Sequence, residues 1–233
     1  MSAHKTSDEV RQDYIQVMGE DLGENFYLLW DEFAQLHLKW GEYVKLFLTN
    51  PLRIDLLNRA AGRFFQILND SLLKDCLLHI AQLTDPKESC GNENFTIQRL
   101  PNLISDERLK QQLKELIIIV KEKVEFCRKL RNKLLAHMDL DIALGRSVEP
   151  LDIPTQAEIE NALKAIGDVL NAVHGHYYID SYIPFEYMKN MPNPHGAEAL
   201  LYVIEDGLWT EEERNKRLQA GEHRAEDFRN RDI

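Results

Sequence analysis

The stretch ENFYLLWDEFAQLHLKWGEYVKLFLT, residues 24–49, carries the hydrophobic spacing that decides the fold class. Its large apolar residues recur in steps of three and four, which places them on one face of an α-helix. They are Phe26, Leu29, Trp30, Phe33, Leu36, Trp40, Val44 and Phe47. Asn50-Pro51 then ends this helix and starts another, with Asn50 as the N-cap and Pro51 in the first turn. The stretch therefore predicts a long amphipathic helix followed at once by a second one.

Three further segments share this helical period, and their predicted ranges are about 51–83, 106–138 and 155–175. Thr84-Asp85-Pro86 ends the first of the three, and Thr155 with Glu158 forms a capping box that opens the last. Two short C-terminal helices follow, and the final one is expected to start at its own capping box of Thr210 with Glu213. No alternation of Val, Ile and Thr demands a sheet.

These segments predict an all-α protein: an antiparallel four-helix bundle with additional C-terminal helices. The 233 residues are 44% hydrophobic, which is enough to bury a sizeable core. We expect an N-terminal extension over 1–21, the helical bundle over 22–176, and a C-terminal helical extension with a charged tail over 177–233.

The chain shows no sign of a membrane or secretory protein. The N-terminus has no apolar segment of the signal-peptide type, and the longest apolar run, Leu116 to Val120, is far too short to span a bilayer. The three cysteines, Cys76, Cys90 and Cys127, fit no disulfide framework. The sequence therefore predicts a soluble cytoplasmic protein with free thiols.

Charge is distributed unevenly along the chain. The net charge of −11 argues against broad, non-specific binding of nucleic acid, because phosphate contacts need Lys and Arg. The segment 121–133, however, has six basic and two acidic residues and so carries +4, which leaves −15 for the rest. A solvated helix face is the ordinary explanation of such a cluster.

The stretch CRKLRNKLLAHMDLD, residues 127–141, places Arg131 and His137 where apolar residues are expected. A buried arginine needs a partner, so a salt bridge to a core carboxylate is one explanation, with His137 as a cation at the helix end. Six residues apart on an ideal helix, the two lie about 120° apart around it and about 9 Å apart along it. Long side chains, or a second copy of the helix across a two-fold axis, could bring both onto one small group.

The segment RNKLLAH, residues 131–137, resembles the signature of the HEPN superfamily, and the longer run RNKLLAHMDLDIALGR is similar to HEPN proteins of the abortive-infection AbiU type. The resemblance extends to LWDEFAQLHLKWGEYVKLF, LLNRAAGRFFQILNDSLLKDCLLHIAQLTDP and VLNAVHGHYYIDS. It covers about residues 24–220, which is nearly the whole chain.

The resemblance implies a metal-independent endoribonuclease without a cofactor, of the kind found among phage-defence and toxin effectors. Its site would form at a homodimer interface, RNA would be its substrate, and an antitoxin would be a possible partner. Arg131 would bind the scissile phosphate, and His137 would be the general acid or base. Asn132 would orient the phosphate or the histidine. Further substrate-binding residues would be Arg128, Lys133 and Asp139.

Two other interpretations stay open. A non-catalytic HEPN module could use Arg131 and His137 for dimerisation or for binding RNA or a nucleotide, and a purely structural bundle could use them for packing. The sequence thus leaves open whether the chain is an enzyme. A metal at His174 and His176 is disfavoured because no matched ligands follow at useful spacing.

Overall fold

The computed structural model of the chain describes residues 5–89, 91–134, 153–178 and 195–228. Its helices are α1 (Ser7–Met18), α2 (Glu20–Phe47), α3 (Pro51–Leu83), α4 (Leu100–Leu103), α5 (Glu107–Lys123), α6 (Glu125–Leu134), α7 (Gln156–Tyr177) and α8 (Ala197–Ala220). Short 3-10 turns span Ile97–Arg99 and Ala225–Phe228, and β1 (Glu88–Ser89) pairs with β2 (Asn92–Glu93) in an antiparallel hairpin. The predicted all-α, HEPN-like helical class is confirmed. None of these described helices is both long and apolar enough to cross a membrane.

Two of the predicted helix starts are confirmed. The side chain of Asn50 accepts a hydrogen bond of 2.9 Å from the Leu52 amide, so Asn50 caps α3 as expected. At the start of α7, the Glu158 amide donates to the Thr155 hydroxyl (3.3 Å) and the Thr155 amide donates to the Glu158 carboxylate (2.8 Å). This reciprocal pair is the predicted capping box.

The predicted third helix is interrupted, which corrects the expectation of one helix over 106–138. Val124 lies between α5 and α6 with φ −102° and ψ 6°, and the Cys127 amide donates to the Val124 carbonyl over 3.0 Å. This tighter, three-residue turn keeps Val124 and Cys127, both fully buried, on the core side.

The expected helix start at Thr210 is wrong. Thr210 lies inside α8, and its hydroxyl donates to the Asp206 carbonyl at 2.7 Å instead of accepting from an amide one turn later. A threonine hydroxyl that bonds back to the preceding turn is compatible with a continuous helix. The same composition therefore fits the interior of a helix as well as its start.

The chain divides into two compact units. Unit 1 lies within Met1–Trp40 and Leu73–Met191, and unit 2 lies within Gly41–Leu72 and Pro192–Ile233. The division of the sequence at 1–21, 22–176 and 177–233 stays a prediction. Unit 1 contains the basic segment, so the candidate site belongs to it.

The core of unit 1 is built from large apolar side chains that are withdrawn from solvent. They include Phe26, Leu29, Phe33, Leu36, Ile80, Leu113, Ile159, Leu163 and Ile166. α5 and α7 pack along one another, and α4 packs against the first part of α5. These contacts hold α5 in place, and α6 follows α5 directly in the chain.

The turn between α1 and α2 depends on two glycines. Gly19 adopts φ +87°, a conformation that glycine reaches without a steric penalty. Gly23 lies so close to α1 that a Cβ atom there would be 2.5 Å from the Tyr14 carbonyl oxygen. The absence of a side chain at Gly23 therefore allows the two helix backbones to touch.

Unit 2 has its own small core. Leu46, Leu57, Phe65, Ala197 and Leu201 are buried against one another. The α8 amide of Ala197 donates to the carboxylate of Glu42, and Arg59 pairs with Glu212 at 2.5 Å. These contacts join α8 to the parts of α2 and α3 that belong to the same unit.

Candidate functional site

Arg131 lies on α6, four residues after the buried Cys127 and one residue after the buried Leu130. Its side chain keeps 31% of its exposure, so the guanidinium is partly withdrawn from water. The sequence predicted a cation on an apolar helix face, and the half-buried position of Arg131 agrees with that prediction. A charge in this environment needs a partner.

Asp85 is that partner. Both carboxylate oxygens of Asp85 accept hydrogen bonds from Nη1 of Arg131, at 2.5 and 2.7 Å. Asp85 lies just beyond the end of α3, and its side chain is 19% exposed. The salt bridge to a carboxylate, which the sequence offered as one explanation of Arg131, is therefore present. Charge-assisted hydrogen bonds of this length are among the stronger polar contacts in proteins.

The backbone of Asp85 is held by a buried threonine. The hydroxyl of Thr96 lies 2.9 Å from the Leu83 carbonyl oxygen and 2.8 Å from that of Asp85. Thr96 has no exposed surface. The Thr96 hydroxyl is a hydrogen-bond donor to carbonyl groups that lack an intrahelical donor at the end of α3. The segment of Thr84 and Asp85, here called the α3 turn, is thus fixed from one side.

Arg128 and Gln98 fix the α3 turn from another side. Nη2 of Arg128 and Nε2 of Gln98 both donate to the Thr84 carbonyl oxygen, each over 2.8 Å. Arg128 lies three residues before Arg131, so two successive arginines of α6 bind adjacent residues of the α3 turn. This contact gives Arg128 a structural role, and its substrate-binding role stays a prediction.

The sequence that leads to Arg131, from the last turn of α5 through α6, is rich in basic residues. Lys129 is exposed and lies 4.0 Å from Glu125, and Lys123 lies 3.1 Å from Glu122. Such exposed pairs contribute little stability, so the lysines remain available to an approaching anion. Arg131, by contrast, is held in one place by a half-buried carboxylate.

The remaining predicted site residues are only partly within the described chain. Asn132 and Lys133 follow Arg131 in α6, and their side chains lie outside what the structure describes. His137 and Asp139 also lie outside the described residues. The structure therefore brings together Arg131, Arg128 and the α3 turn.

Asp85 is the site residue that the sequence did not predict. The sequence identified Thr84-Asp85-Pro86 only as the end of a helix. A signal was nevertheless present, because an arginine on an apolar face requires a carboxylate and Asp85 stands at the end of a neighbouring predicted helix. The separation of 46 residues between the partners hides the pair from any local pattern.

His174, half of the disfavoured metal motif, lies in an aromatic cluster in unit 1. Its ring stacks on Tyr178 at 4.8 Å and on Trp30 at 5.3 Å, and it meets the edge of Tyr14 at 6.2 Å. Burial lowers the pKa of His174, which favours the neutral imidazole. Among the described residues no group of three His, Cys, Asp or Glu is placed to hold a metal ion.

The described residues form an all-α fold of the HEPN-like helical class, with Arg131 on a basic helix and anchored by Asp85. The model of one such family, AbiU2, matches residues 19–190, and the chain therefore belongs to the AbiU2 family of HEPN proteins. No significant match was found among curated proteins or among solved structures.

Proposed function

We propose that this AbiU2-family protein is a metal-independent endoribonuclease in which Arg131, Asn132 and His137 act on RNA. The observation that carries the proposal is the fixed guanidinium of Arg131 on a basic helix, within a chain of the HEPN class. A guanidinium binds two phosphate oxygens at once and stabilises the charge that grows on them in the transition state.

The proposed reaction needs only an acid, a base and a cation. A base removes the proton of the 2′-hydroxyl, O2′ attacks the adjacent phosphorus, and the bond from phosphorus to O5′ breaks. The leaving O5′ takes a proton, so the products are a 2′,3′-cyclic phosphate and a 5′-hydroxyl. His137 would serve as the base or the acid, because imidazole titrates near neutral pH. Asn132 would orient the phosphate or the histidine.

Arg128, Lys133 and Asp139 are proposed as neighbours of the substrate. The nucleic acid would approach along the segment 121–133, whose charge of +4 contrasts with the acidic remainder of the chain. Arg128 would contribute a second cation from the same helix as Arg131. Its bond to Thr84 would be kept, since it uses Nη2 only.

We propose that the active unit is a two-fold homodimer. An isologous interface places each residue beside its own copy, so Arg131 of one subunit and His137 of the other could share one phosphate. The biological role that fits such a dimer is a phage-defence or toxin effector, with an antitoxin as a further partner. Expression of the wild type should then slow growth, and expression of His137→Ala should not.

A non-catalytic HEPN module is the second candidate. The observation that favours it is the Asp85 carboxylate, which already balances the charge of Arg131. In that case Arg131 would stabilise the end of α3, hold a dimer, or bind RNA or a nucleotide without cleaving it. The two candidates differ in one measurable property, which is cleavage.

The deciding experiment is incubation of the purified protein with mixed RNA in EDTA. We expect cleavage that leaves 2′,3′-cyclic ends, and we expect Arg131→Ala and His137→Ala each to lower the rate by at least about 100-fold. Lys216→Ala is the matched control, because it removes an exposed cation that pairs with Glu213 at 2.7 Å on α8, outside the basic segment 121–133.

Each outcome of this experiment has a defined meaning. Cleavage that requires a divalent metal, or that survives His137→Ala, contradicts the mechanism. If no RNA is cut but the protein binds a labelled oligonucleotide and loses that binding in Arg131→Ala, the non-catalytic module is supported. Circular dichroism spectra of all variants must match, so that lost activity is not lost folding.

A further inference from the structure

We infer that Asp85 is a positioning residue of the site: it holds Arg131 by Nη1 so that the Nε–Nη2 edge of the guanidinium receives the scissile phosphate. This inference rests on the proposed function and deepens it, because it adds a residue and specifies the edge of the arginine that meets the substrate.

The first step of the argument is the geometry of the ion pair. A guanidinium has two forks for two oxygen atoms, one formed by Nε and Nη2 and the other by the two Nη groups. Both oxygens of Asp85 lie on Nη1, at 2.5 and 2.7 Å. No described residue accepts a hydrogen bond from Nε or Nη2 of Arg131. Asp85 therefore engages Nη1 alone, and we infer that the Nε–Nη2 fork is the edge that receives the phosphate.

The second step is the rigidity of the carboxylate. The α3 turn that carries Asp85 is fixed by the buried hydroxyl of Thr96 and by the bonds of Arg128 and Gln98 to Thr84. Because these contacts hold the α3 turn in place, the Asp85 carboxylate keeps the guanidinium of Arg131 in a fixed position. Fixed groups that need no reorganisation during the reaction are the most effective at stabilising a transition state.

The third step is the cost of placing an anion beside a phosphate site. Asp85 is 19% exposed, so its charge is only partly screened by water and weakens the binding of RNA in the ground state. A residue that opposes substrate binding yet orients the key cation should affect kcat and KM in different ways. Loss of Asp85 should lower kcat without raising KM.

The experiment compares Asp85→Asn, Asp85→Glu and the wild type in steady-state cleavage of one short RNA. Asn keeps the size and one acceptor but removes the charge, while Glu keeps the charge and moves the carboxylate by one methylene. We expect kcat to fall by about 10- to 100-fold in both variants, as for other small misplacements of a catalytic group. KM should stay unchanged or fall in Asp85→Asn.

Asp168→Asn is the matched control. It replaces a carboxylate that pairs with Lys164 at 2.8 Å on α7, and it therefore breaks an ion pair of the same unit in which Arg131 takes no part. Its kcat should equal that of the wild type. If Asp85→Asn fails to fold, Asp85→Glu still tests the inference, because it retains the negative charge beside Arg131.

The outcomes separate this inference from the proposed function. No cleavage by the wild type overturns both. Cleavage that Arg131→Ala abolishes but that both Asp85 variants retain overturns the inference alone. A higher kcat in Asp85→Asn would show that Asp85 inhibits the site by neutralising Arg131, and a raised KM with normal kcat would show a role in binding, so either result also overturns positioning.

Discussion

Gly23 and Gly41 provide a direct test of how closely α1 approaches α2. Both lie within α2, and only their surroundings differ. A Cβ atom at Gly23 would lie 2.5 Å from the Tyr14 carbonyl oxygen and 2.6 Å from N and Cα of Ile15, whereas a Cβ at Gly41 would meet nothing within 4 Å. Gly23→Ala and Gly41→Ala are therefore the same chemical change in a crowded and in an open place.

The expected free energies follow from two terms. Replacing glycine by alanine inside a helix stabilises it by about 1 kcal/mol, and this term is common to both variants. The clash at Gly23 involves backbone atoms, which cannot rotate away as a side chain does, so the helices must separate at a cost of about 3 kcal/mol or more. Gly23→Ala should thus destabilise unit 1 by about 2 kcal/mol, while Gly41→Ala should be stabilising.

Thermal melting followed by circular dichroism measures the difference. For a chain of this length about 1 kcal/mol changes the melting temperature by roughly 2–4 °C. We expect Gly23→Ala to melt about 4–8 °C below the wild type and Gly41→Ala to melt about 2–4 °C above it. If the two variants melt within 1 °C of one another, α1 does not pack on α2 as closely as described.

Two further predictions concern titration and pairing. Because burial lowers the pKa of His174, the unfolded chain binds a proton more readily than the folded one below the ordinary histidine pKa of about 6.5. The free energy of unfolding should therefore fall as the pH is lowered from 7.5 to 5.5, which urea titrations at each pH measure. His174→Phe should make this dependence weaker. The dependence that remains would be due to His79, because burial also lowers the pKa of His79. For Asp85 and Arg131, a double-mutant cycle with alanine should give a coupling free energy of about 1–2 kcal/mol, between the values for exposed and buried pairs. A coupling below about 0.5 kcal/mol would mean that the pair is effectively solvated.

Periodicity predicted the helices well because it reports which face of a helix is buried. The predicted start at Asn50-Pro51 and the capping box at Thr155 are local signals, complete within four residues, and both are present. The break at Val124 has no such signal, since valine is acceptable in a helix and the turn there depends on what packs against it. Local patterns therefore identified the capped starts at Asn50 and Thr155, wrongly indicated a start at Thr210, and gave no sign of the break at Val124.

The candidate site was predictable in part for the same reason. Arg131 was recognisable because a charge on an apolar face violates the pattern around it. Asp85 was not, because a polar residue before a proline at a helix end violates nothing. Its role depends on the approach of α3 to α6, which is a property of the tertiary structure. The sequence thus indicated that Arg131 needs a partner, and the tertiary structure identifies Asp85 as that partner.

The anchoring of Arg131 also bears on why a second subunit would be needed. An arginine side chain is long enough to search for a phosphate, but Nη1 of Arg131 is held on the α3 turn by a half-buried carboxylate. A histidine six residues further along an ideal helix would be turned about 120° away from it. Arg131 could swing toward that histidine only by breaking its ion pair, so under the proposed function the acid or base would have to come to the arginine. A two-fold partner could supply it, and the net charge of −11 per chain then requires that the two copies meet through apolar surface around the basic segment.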